Sequence, residues 1–363
     1  MIQRIYHIKR ALPELFELEE LIEQGREHLR VSVPAHIQHT YKHQQTVPLP
    51  FYVLEAGSDA PLAPTLVLVG GVHGIERIGT QVILSFLRTL LQRLAWEPVI
   101  HEQLAQIRLV MIPIVNPGGM WQNSRSNPNG VDLMRNAPVD AEDNTFLVGG
   151  QRLSKHLPWY RGRKDSQMEA ENQALTQAIR QVLSHQKHAI SLDCHSGFGA
   201  KDRIWFPYAK SKSPWPNLAE AFALTELFET TYPYHDVYLF EPQSQSYTTH
   251  GDIWDYLYDD YLATQPDGLY LPLTLEMGSW LWVRKNPRHL LRYHSLFNPI
   301  LPHRHHRILR RHLTLFDFLL SAVRSMPAWA PTGVNEKSQL HHQALKRWYP
   351  GSAFSAKPGL RPE

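Results

Sequence analysis

The sequence predicts an α/β fold, a doubly wound, mixed but mostly parallel sheet flanked by helices. Continuous apolar runs at residues 66–69 and 107–115 read as strands buried on both faces, the pattern of a parallel sheet. Segments of helical period alternate with such runs, as βα units require. Three predicted strands lead into a charged or imidazole side chain with Gly or Ser close behind: His73-Gly74, His195-Ser196-Gly197 and Glu276-Met277-Gly278. Parallel strands end on one edge, where open α/β sheets bind ligands, so these side chains are expected to converge there.

In chain order, residues 12–28 place Leu12, Leu15, Phe16, Leu18, Leu21 and Ile22 among acids, an amphipathic helix. Residues 29–33 and 51–54 read as strands separated by polar, His-containing sequence. The strand at 65–69 ends in Gly70-Gly71, which permit a sharp turn. Helical spacing marks 79–94, a strand follows at 107–115, and Asn116-Pro117-Gly118-Gly119 stops it. A polar, Asn-rich loop at 121–136 and an irregular stretch at 137–165 precede a helix at 168–184. Residues 189–194 (AISLDC) form a strand ending at His195, 218–230 a helix, and 271–275 (LPLTL) a strand ending at Glu276. A helix at 309–323 closes the domain. Residues 1–326 are expected to form one catalytic domain, with 1–60 leading into it, and the Pro-, Gly- and Lys-rich residues 327–363 a poorly ordered tail.

Among 363 residues, Lys+Arg number 37 and Asp+Glu 34, an excess too small to argue for a nucleic-acid or membrane-surface partner. Hydrophobic residues make up 43%, a globular composition with no run long enough to span a membrane. Cys194 is the single cysteine, so no intrachain disulfide forms. With no signal-peptide pattern at the N-terminus, a cytoplasmic location is expected.

His73 and Glu76 stand three residues apart on one tight loop after a buried strand. An imidazole and a carboxylate offered together suit zinc, and His195 would complete a His2Glu set that leaves a position for water. On its own, His-x-x-Glu in a chain with 21 His reads better as two hydrogen-bonded loop residues.

The company of these residues is more specific. GGVHGIER (70–77), IVNPGG (114–119), NPNGVDLMRN (127–136), LDCHSGFG (192–199), SYTTHGDIWD (246–255) and LTLEMG (273–278) together resemble, in order and spacing, the zinc carboxypeptidases, the carboxypeptidase A-like metallopeptidases of family M14. The resemblance implies one zinc ion per chain on His73, Glu76 and His195, with Glu276 as the catalytic carboxylate assisting attack of a zinc-bound water on a C-terminal peptide bond. It implies Arg135 as the clamp on the substrate carboxylate and Asp132 as the group that orients a zinc-bound imidazole. Arg125 matches the oxyanion-stabilising arginine, with Gln122 the alternative, and Tyr247 the mobile substrate-binding tyrosine. Met134 departs from the family, which has Asn before the clamp arginine; Met donates no hydrogen bond, so either Asn136 or a backbone amide is expected to compensate, or the substrate differs. Ile253 falls where the family lines its side-chain pocket, which suggests an uncharged residue there.

The implied substrate is a peptide, a peptidoglycan-derived peptide among the candidates. The alternatives are a zinc deacylase of N-acyl amino acids, like the succinylglutamate desuccinylase and aspartoacylase group, and a non-catalytic zinc protein on the same fold. Cys194, next to His195 on a strand, should point to the opposite face and reads as a small buried hydrophobe. The basic stretch 303–312 reads as a solvated helix start.

Overall fold

The structure, a computed structural model, describes residues 8–41, 45–143, 145, 147–291 and 293–352. Its centre is an eight-stranded sheet in the order β1-β2-β4-β3-β5-β8-β6-β7. The strands are β1 (Leu29–Tyr41), β2 (Gln45–Gly57), β3 (Thr65–Gly70), β4 (Arg108–Ile112), β5 (His188–Ser196), β6 (Asp202–Phe206), β7 (Tyr238–Pro242) and β8 (Leu269–Met277). The pairs β4–β3, β3–β5, β5–β8 and β6–β7 are parallel, whereas β1–β2, β2–β4 and β8–β6 are antiparallel. This is the mixed, mostly parallel sheet that the apolar runs predict. Every residue of β3 is buried, and β5 and β8 are buried after their first position.

The helices are α1 (Pro13–Gln24), α2 (Arg77–Leu94), α3 (Pro98–Leu104), α4 (Pro117–Gln122), α5 (Ala170–Leu183), α6 (Leu218–Thr231), α7 (Ile253–Thr264), α8 (Trp280–Lys285), α9 (Pro302–Arg324), α10 (Met326–Trp329) and α11 (Val334–Trp348). They flank the sheet in groups: α2 packs on α1, α9, β3 and β5, while α7 packs on α5 and β8. The stripe predicted for residues 79–94 is the buried face of α2, where Val82, Ile83, Phe86, Leu87, Leu90 and Leu91 lie inside.

Several extents differ from the sequence reading. β1 and β2 are 13-residue arms, because the sequence between the two predicted strands alternates: Ile37 and His39 on one arm and Val47, Leu49 and Phe51 on the other face inward. β6, β7 and α7 were not apparent. The expected loose tail is corrected over 334–348, where α11 packs on α6 and buries Ala344, Leu345 and Trp348. Residues 353–363 lie outside the described residues.

Topology fixes the place of the site. From β3 the chain moves to β4 on one side and then to β5 on the other, so the strand order reverses between β3 and β5. The crevice beyond the carboxyl ends of two such strands is the general ligand site of open α/β sheets.

Candidate metal centre and substrate cleft

The loop after β3 brings His73 and Glu76 to this crevice. Gly71 takes φ +67° to turn it. Gly74 lies so close to the next loop that a Cβ there would sit 2.1 Å from Met120 N and Gly119 C. Asn116 ties the two loops: its Oδ1 accepts from Gly119 N and caps α4, and its Nδ2 donates to Val72 O. His195 arrives from the other side, on the last turn-in of β5.

His73, Glu76 and His195 are buried and form the one metal-competent cluster of His, Cys, Asp and Glu among the described residues. His73 Nε2 is 3.1 Å from Asp132 Oδ1, and His195 Nε2 is 2.6 Å from Asp193 Oδ2. A carboxylate oxygen only accepts, so each Nε2 carries the proton and each Nδ1 presents a lone pair. Those Nδ1 atoms lie 3.1 Å from one another, with Glu76 Oε1 at 3.0 Å from the first and Oε2 at 3.1 Å from the second. With both imidazoles neutral, these are converging acceptors, an arrangement that suits a cation. Two neutral imidazoles, a carboxylate and an outer carboxylate on each His are a donor set that fits zinc.

Asp132 is the hub behind the cluster. It is fully buried and accepts from His73 Nε2, Met134 N, Arg125 Nε and Arg135 Nη1. Burial works against its charge, but Arg125, Arg135 and His73 hold it well below the ordinary carboxylate range. Arg125 also donates through Nη1 to Glu76 Oε1 at 3.0 Å, and Arg135 through Nε to Val148 O.

A cleft of about 550 Å³ opens onto the cluster, lined by His73, Arg125, Arg135, His195, Tyr247 and Glu276 among others. His195 and Glu276 are opposite one another in the β5–β8 register. Glu276 Oε1 accepts from Phe198 N at 2.9 Å. Burial, helped by the nearby Glu76 charge, raises the Glu276 carboxyl to about 8. Tyr247 is half-buried beside Phe198 and Trp205, with ring centroids at 5.9 and 5.8 Å.

A family model described as zinc carboxypeptidase, Peptidase M14, matches residues 27–278. The chain belongs to the zinc carboxypeptidase family. The chain is 29% identical over 204 residues to the carboxypeptidase N catalytic chain of Rattus norvegicus, spanning 49% of this chain and 42% of the relative. It is 33% identical over 158 residues to carboxypeptidase E of Caenorhabditis elegans, spanning 39% and 32% respectively. It thus spans less than half the length of these relatives. Its fold is that of carboxypeptidase A from Helicoverpa armigera, with a TM-score of 0.62 at 15% identity over 86% of this chain and 72% of that one. Zinc is accordingly the cofactor.

The structure brings together His73, Glu76, His195, Glu276, Arg125, Arg135 and Tyr247. Gln122, the alternative to Arg125, is exposed at the end of α4 and does not line the cleft. Asn136 corrects the sequence reading. It follows the one-turn helix Leu133–Arg135, and its side chain swings away from Arg135. Its amide donates to Arg161 O and accepts from Glu169 N, and it lines a separate hollow with Arg152 and Lys164. It is therefore not positioned to replace the family asparagine. Met134 itself lines the cleft. Ile253 is fully buried and outside the lining, whereas its neighbour Asp252 is part of it. Cys194 is buried, and burial followed by the Asp193 charge raises its thiol well above the ordinary value.

Asp193 was missed. It sits two residues before His195, and strand alternation puts both side chains on one face, a signal the sequence contained. Trp254 Nε1 donates to the same Asp193 Oδ2 at 2.8 Å, an arrangement with no local sequence signature. His312, in the stretch read as solvated, is instead fully buried, with Nδ1 2.8 Å from Tyr238 Oη. No helix among the described residues is long and apolar enough to cross a membrane.

Proposed function

We propose that this chain is a metallocarboxypeptidase that hydrolyses the C-terminal peptide bond of a peptide, with zinc held by His73, Glu76 and His195. The observation that carries the reading is the Nδ1–Nδ1–carboxylate convergence facing Glu276 and two guanidiniums in one cleft. When bound, zinc polarises the scissile carbonyl and makes a water acidic enough to attack near neutral pH.

The chain's own groups divide the remaining work. Phe198 N–H holds Glu276 Oε1, leaving Oε2 to take the proton of the attacking water and deliver it to the leaving amine. Arg125 has Nε and Nη1 committed to Asp132 and Glu76 and offers Nη2 to the oxygen that becomes negative. Arg135 has Nε and Nη1 committed to Val148 and Asp132 and offers Nη2 to the substrate carboxylate. Both arginines are thereby prevented from turning, so little ordering remains when substrate arrives. Tyr247 closes the cleft from the Phe198 and Trp205 side. A cytoplasmic location is supported by the lone buried thiol of Cys194, and peptidoglycan-derived peptides belong to the substrate class.

Met134 keeps one rival in view, a deacylase of N-acyl amino acids, since it lines the cleft where the family has an asparagine and donates no hydrogen bond. Metal content by mass spectrometry, with hydrolysis of a C-terminal peptide panel and of N-acyl amino acids before and after chelation, tests the reading. One zinc per chain and chelator-sensitive, zinc-restored peptide cleavage are expected. Cleavage confined to N-acyl amino acids, or unaffected by chelation, would overturn it.

A further inference from the structure

The charges of this chain are unevenly spread. From Met277 to Phe316 it carries eight Lys and Arg and no Asp or Glu, whereas the whole chain is only +3. The remainder is therefore acidic on balance, and the near-neutral total conceals one strongly basic segment.

The fold gathers that segment into a lobe. It runs from α8 through the short 3-10 helices Pro287–Leu291 and Tyr293–Leu296 to the start of α9, and α8 and both short helices pack on one another. Arg304 Nη1 donates to Trp282 O at 3.4 Å and joins α9 to α8. Asn298 Nδ2 donates to Ile75 O and its Oδ1 accepts from Ile78 N, which seats the lobe on the loop that carries His73 and Glu76. Phe297 lines the cleft, so the lobe borders it.

The cations of the lobe have no counter-charge within the chain. Arg284, Lys285, Arg288, Arg307 and Arg310 are exposed and Arg304 is half-buried, and among the described residues none of them pairs with a carboxylate. Arg311 points inward instead and pairs with Asp202 at 2.9 Å. Elsewhere Arg77, Arg93, Arg108 and Arg180 each meet an acid. On α9, Arg307 and Arg310 stand four and seven residues beyond His303, so the three share the outward face, while Ile308, His312 and Leu315 are buried on the inner one.

Set among these cations are large apolar side chains in solvent: Trp280 is 58% exposed, Leu290 67% and Ile300 38%. A surface that serves solubility alone mixes both signs and exposes few such groups. Like charges crowded without partners repel one another, and an external anion relieves that cost. Cations interleaved with an indole and aliphatic tips match a lipid headgroup layer, where phosphates meet the cations and the apolar tips reach the acyl boundary. A nucleic acid or an acidic polypeptide would answer the cations and leave Leu290 and Ile300 in water.

We propose that the lobe from α8 to the start of α9 is a peripheral docking surface for an anionic lipid bilayer. Its exposed guanidiniums and Lys285 meet the headgroups, and Trp280, Leu290 and Ile300 are shallow apolar anchors. This goes beyond the carboxypeptidase reading and depends on neither zinc nor turnover. The small net charge argued against a membrane-surface partner because an average over the chain hides one lobe.

The test measures co-sedimentation of the full chain with vesicles of phosphatidylcholine, with and without about 30% phosphatidylglycerol, at low salt and at about 0.5 M salt. The anionic vesicles should bind at least about tenfold more tightly than the neutral ones, and high salt should remove most of that advantage. Arg307→Gln combined with Arg310→Gln should weaken binding by about 10- to 30-fold, the worth of two interfacial cations. Arg284→Gln combined with Lys285→Gln should do the same. The two pairs lie on separate helices, so misfolding of one variant leaves the other to decide. Brominated acyl chains should quench indole fluorescence of the wild type, and Trp280→Phe should remove most of that quenching. None of these side chains lines the cleft, so cleavage without vesicles should be unchanged, and vesicle binding is read even if no peptide is cut. Equal binding to neutral and anionic vesicles, or no loss in either charge pair, overturns the proposal. Polyuridylate or polyglutamate binding more tightly than the anionic vesicles overturns it in favour of a polymeric partner.

Discussion

His195 and Glu276 are register partners on adjacent parallel strands, β5 and β8. Ser196 N, next to the imidazole, donates to Glu76 Oε2 at 2.9 Å and ties β5 to the metal loop, and the carboxyl is fixed relative to the imidazole by the ladder. A base held by a sheet register needs no induced movement to meet the cluster. Glu276→Gln keeps the shape and the acceptor for Phe198 N but cannot carry a proton. Loss of a positioned general base is expected to lower kcat/KM by about 10²- to 10⁴-fold, with zinc content unchanged. Cleavage that survives would remove Glu276 from the mechanism.

The same carboxyl makes a pH prediction. Burial and Glu76 raise it from 4.5 to about 8 in the metal-free chain. The folded chain therefore holds this proton more tightly than the unfolded chain, so its contribution favours folding at low pH and fades as pH rises from 4.5 to about 8. Melting of the metal-free protein across that window should show a decline that Glu276→Gln lacks. Zinc beside the group favours its ionised form, so the acid limb of kcat/KM in the loaded enzyme should fall between those two values. A limb unchanged by Glu276→Gln would assign it to another group.

Asp193 holds His195 Nε2 at 2.6 Å and is itself held by Trp254 Nε1. Removing an outer-shell carboxylate of this kind weakens metal binding by about 10- to 100-fold. Asp193→Ala should therefore show weaker zinc affinity in a chelator competition, before any assay of turnover. Trp254→Phe should move affinity in the same direction by less. Unchanged affinity in Asp193→Ala would mean that β5 alone orients the imidazole.

Arg135 is positioned by its backbone as well as by Asp132. Gly251, at φ +68°, lies so close that a Cβ there would sit 1.9 Å from Arg135 O. Arg161 Nε donates to the same carbonyl at 3.3 Å. Arg135→Met should lower kcat/KM for a peptide with a free C-terminal carboxylate by about 10- to 100-fold, the worth of a charge-assisted hydrogen bond. The matching peptide amide should lose far less. Gly251→Ala adds backbone strain and a steric clash of about 1–3 kcal/mol, and should lower the melting temperature and raise KM together. Equal losses on acid and amide substrates would take Arg135 off the carboxylate.

What the sequence disclosed follows from what each signal depends on. β3, β5 and β8 are buried almost throughout, so apolar runs marked them. β6 (DRIWF) and β7 (YLFEP) are short and chemically mixed, and they exist because β8 and the Trp348 side chain give them partners. The metal ligands lie in motifs whose spacing is local. Asn136 was misplaced because a single turn of helix, Leu133–Arg135, decides which way the following side chain points. Asp252 was passed over for Ile253 because the orientation at a helix start is set by the cap, not by the pattern within the helix.

The segment expected to be loose makes the last prediction. In α11, Ala344, Leu345 and Trp348 fall at helical spacing amid polar residues, too few to mark the helix in the sequence but enough to cover α6. Trp348 Nε1 donates to Phe240 O at 2.7 Å, and its ring meets Phe206 and Phe222 at 4.8 and 5.8 Å. Arg347 pairs with Glu226 and Glu229 on α6. Trp348→Ala should cost about 3–5 kcal/mol, as for a buried tryptophan. The loss should be local at first: Phe206 and Phe240 lie on β6 and β7, at the sheet edge far from β3. Hydrogen exchange should therefore accelerate in Asp202–Phe206 and Tyr238–Pro242 while Thr65–Gly70 stays protected. Trp205, beside Phe206, lines the cleft, so KM should rise while zinc affinity holds. A variant with unchanged melting and exchange would return residues 334–348 to the role of a dispensable tail.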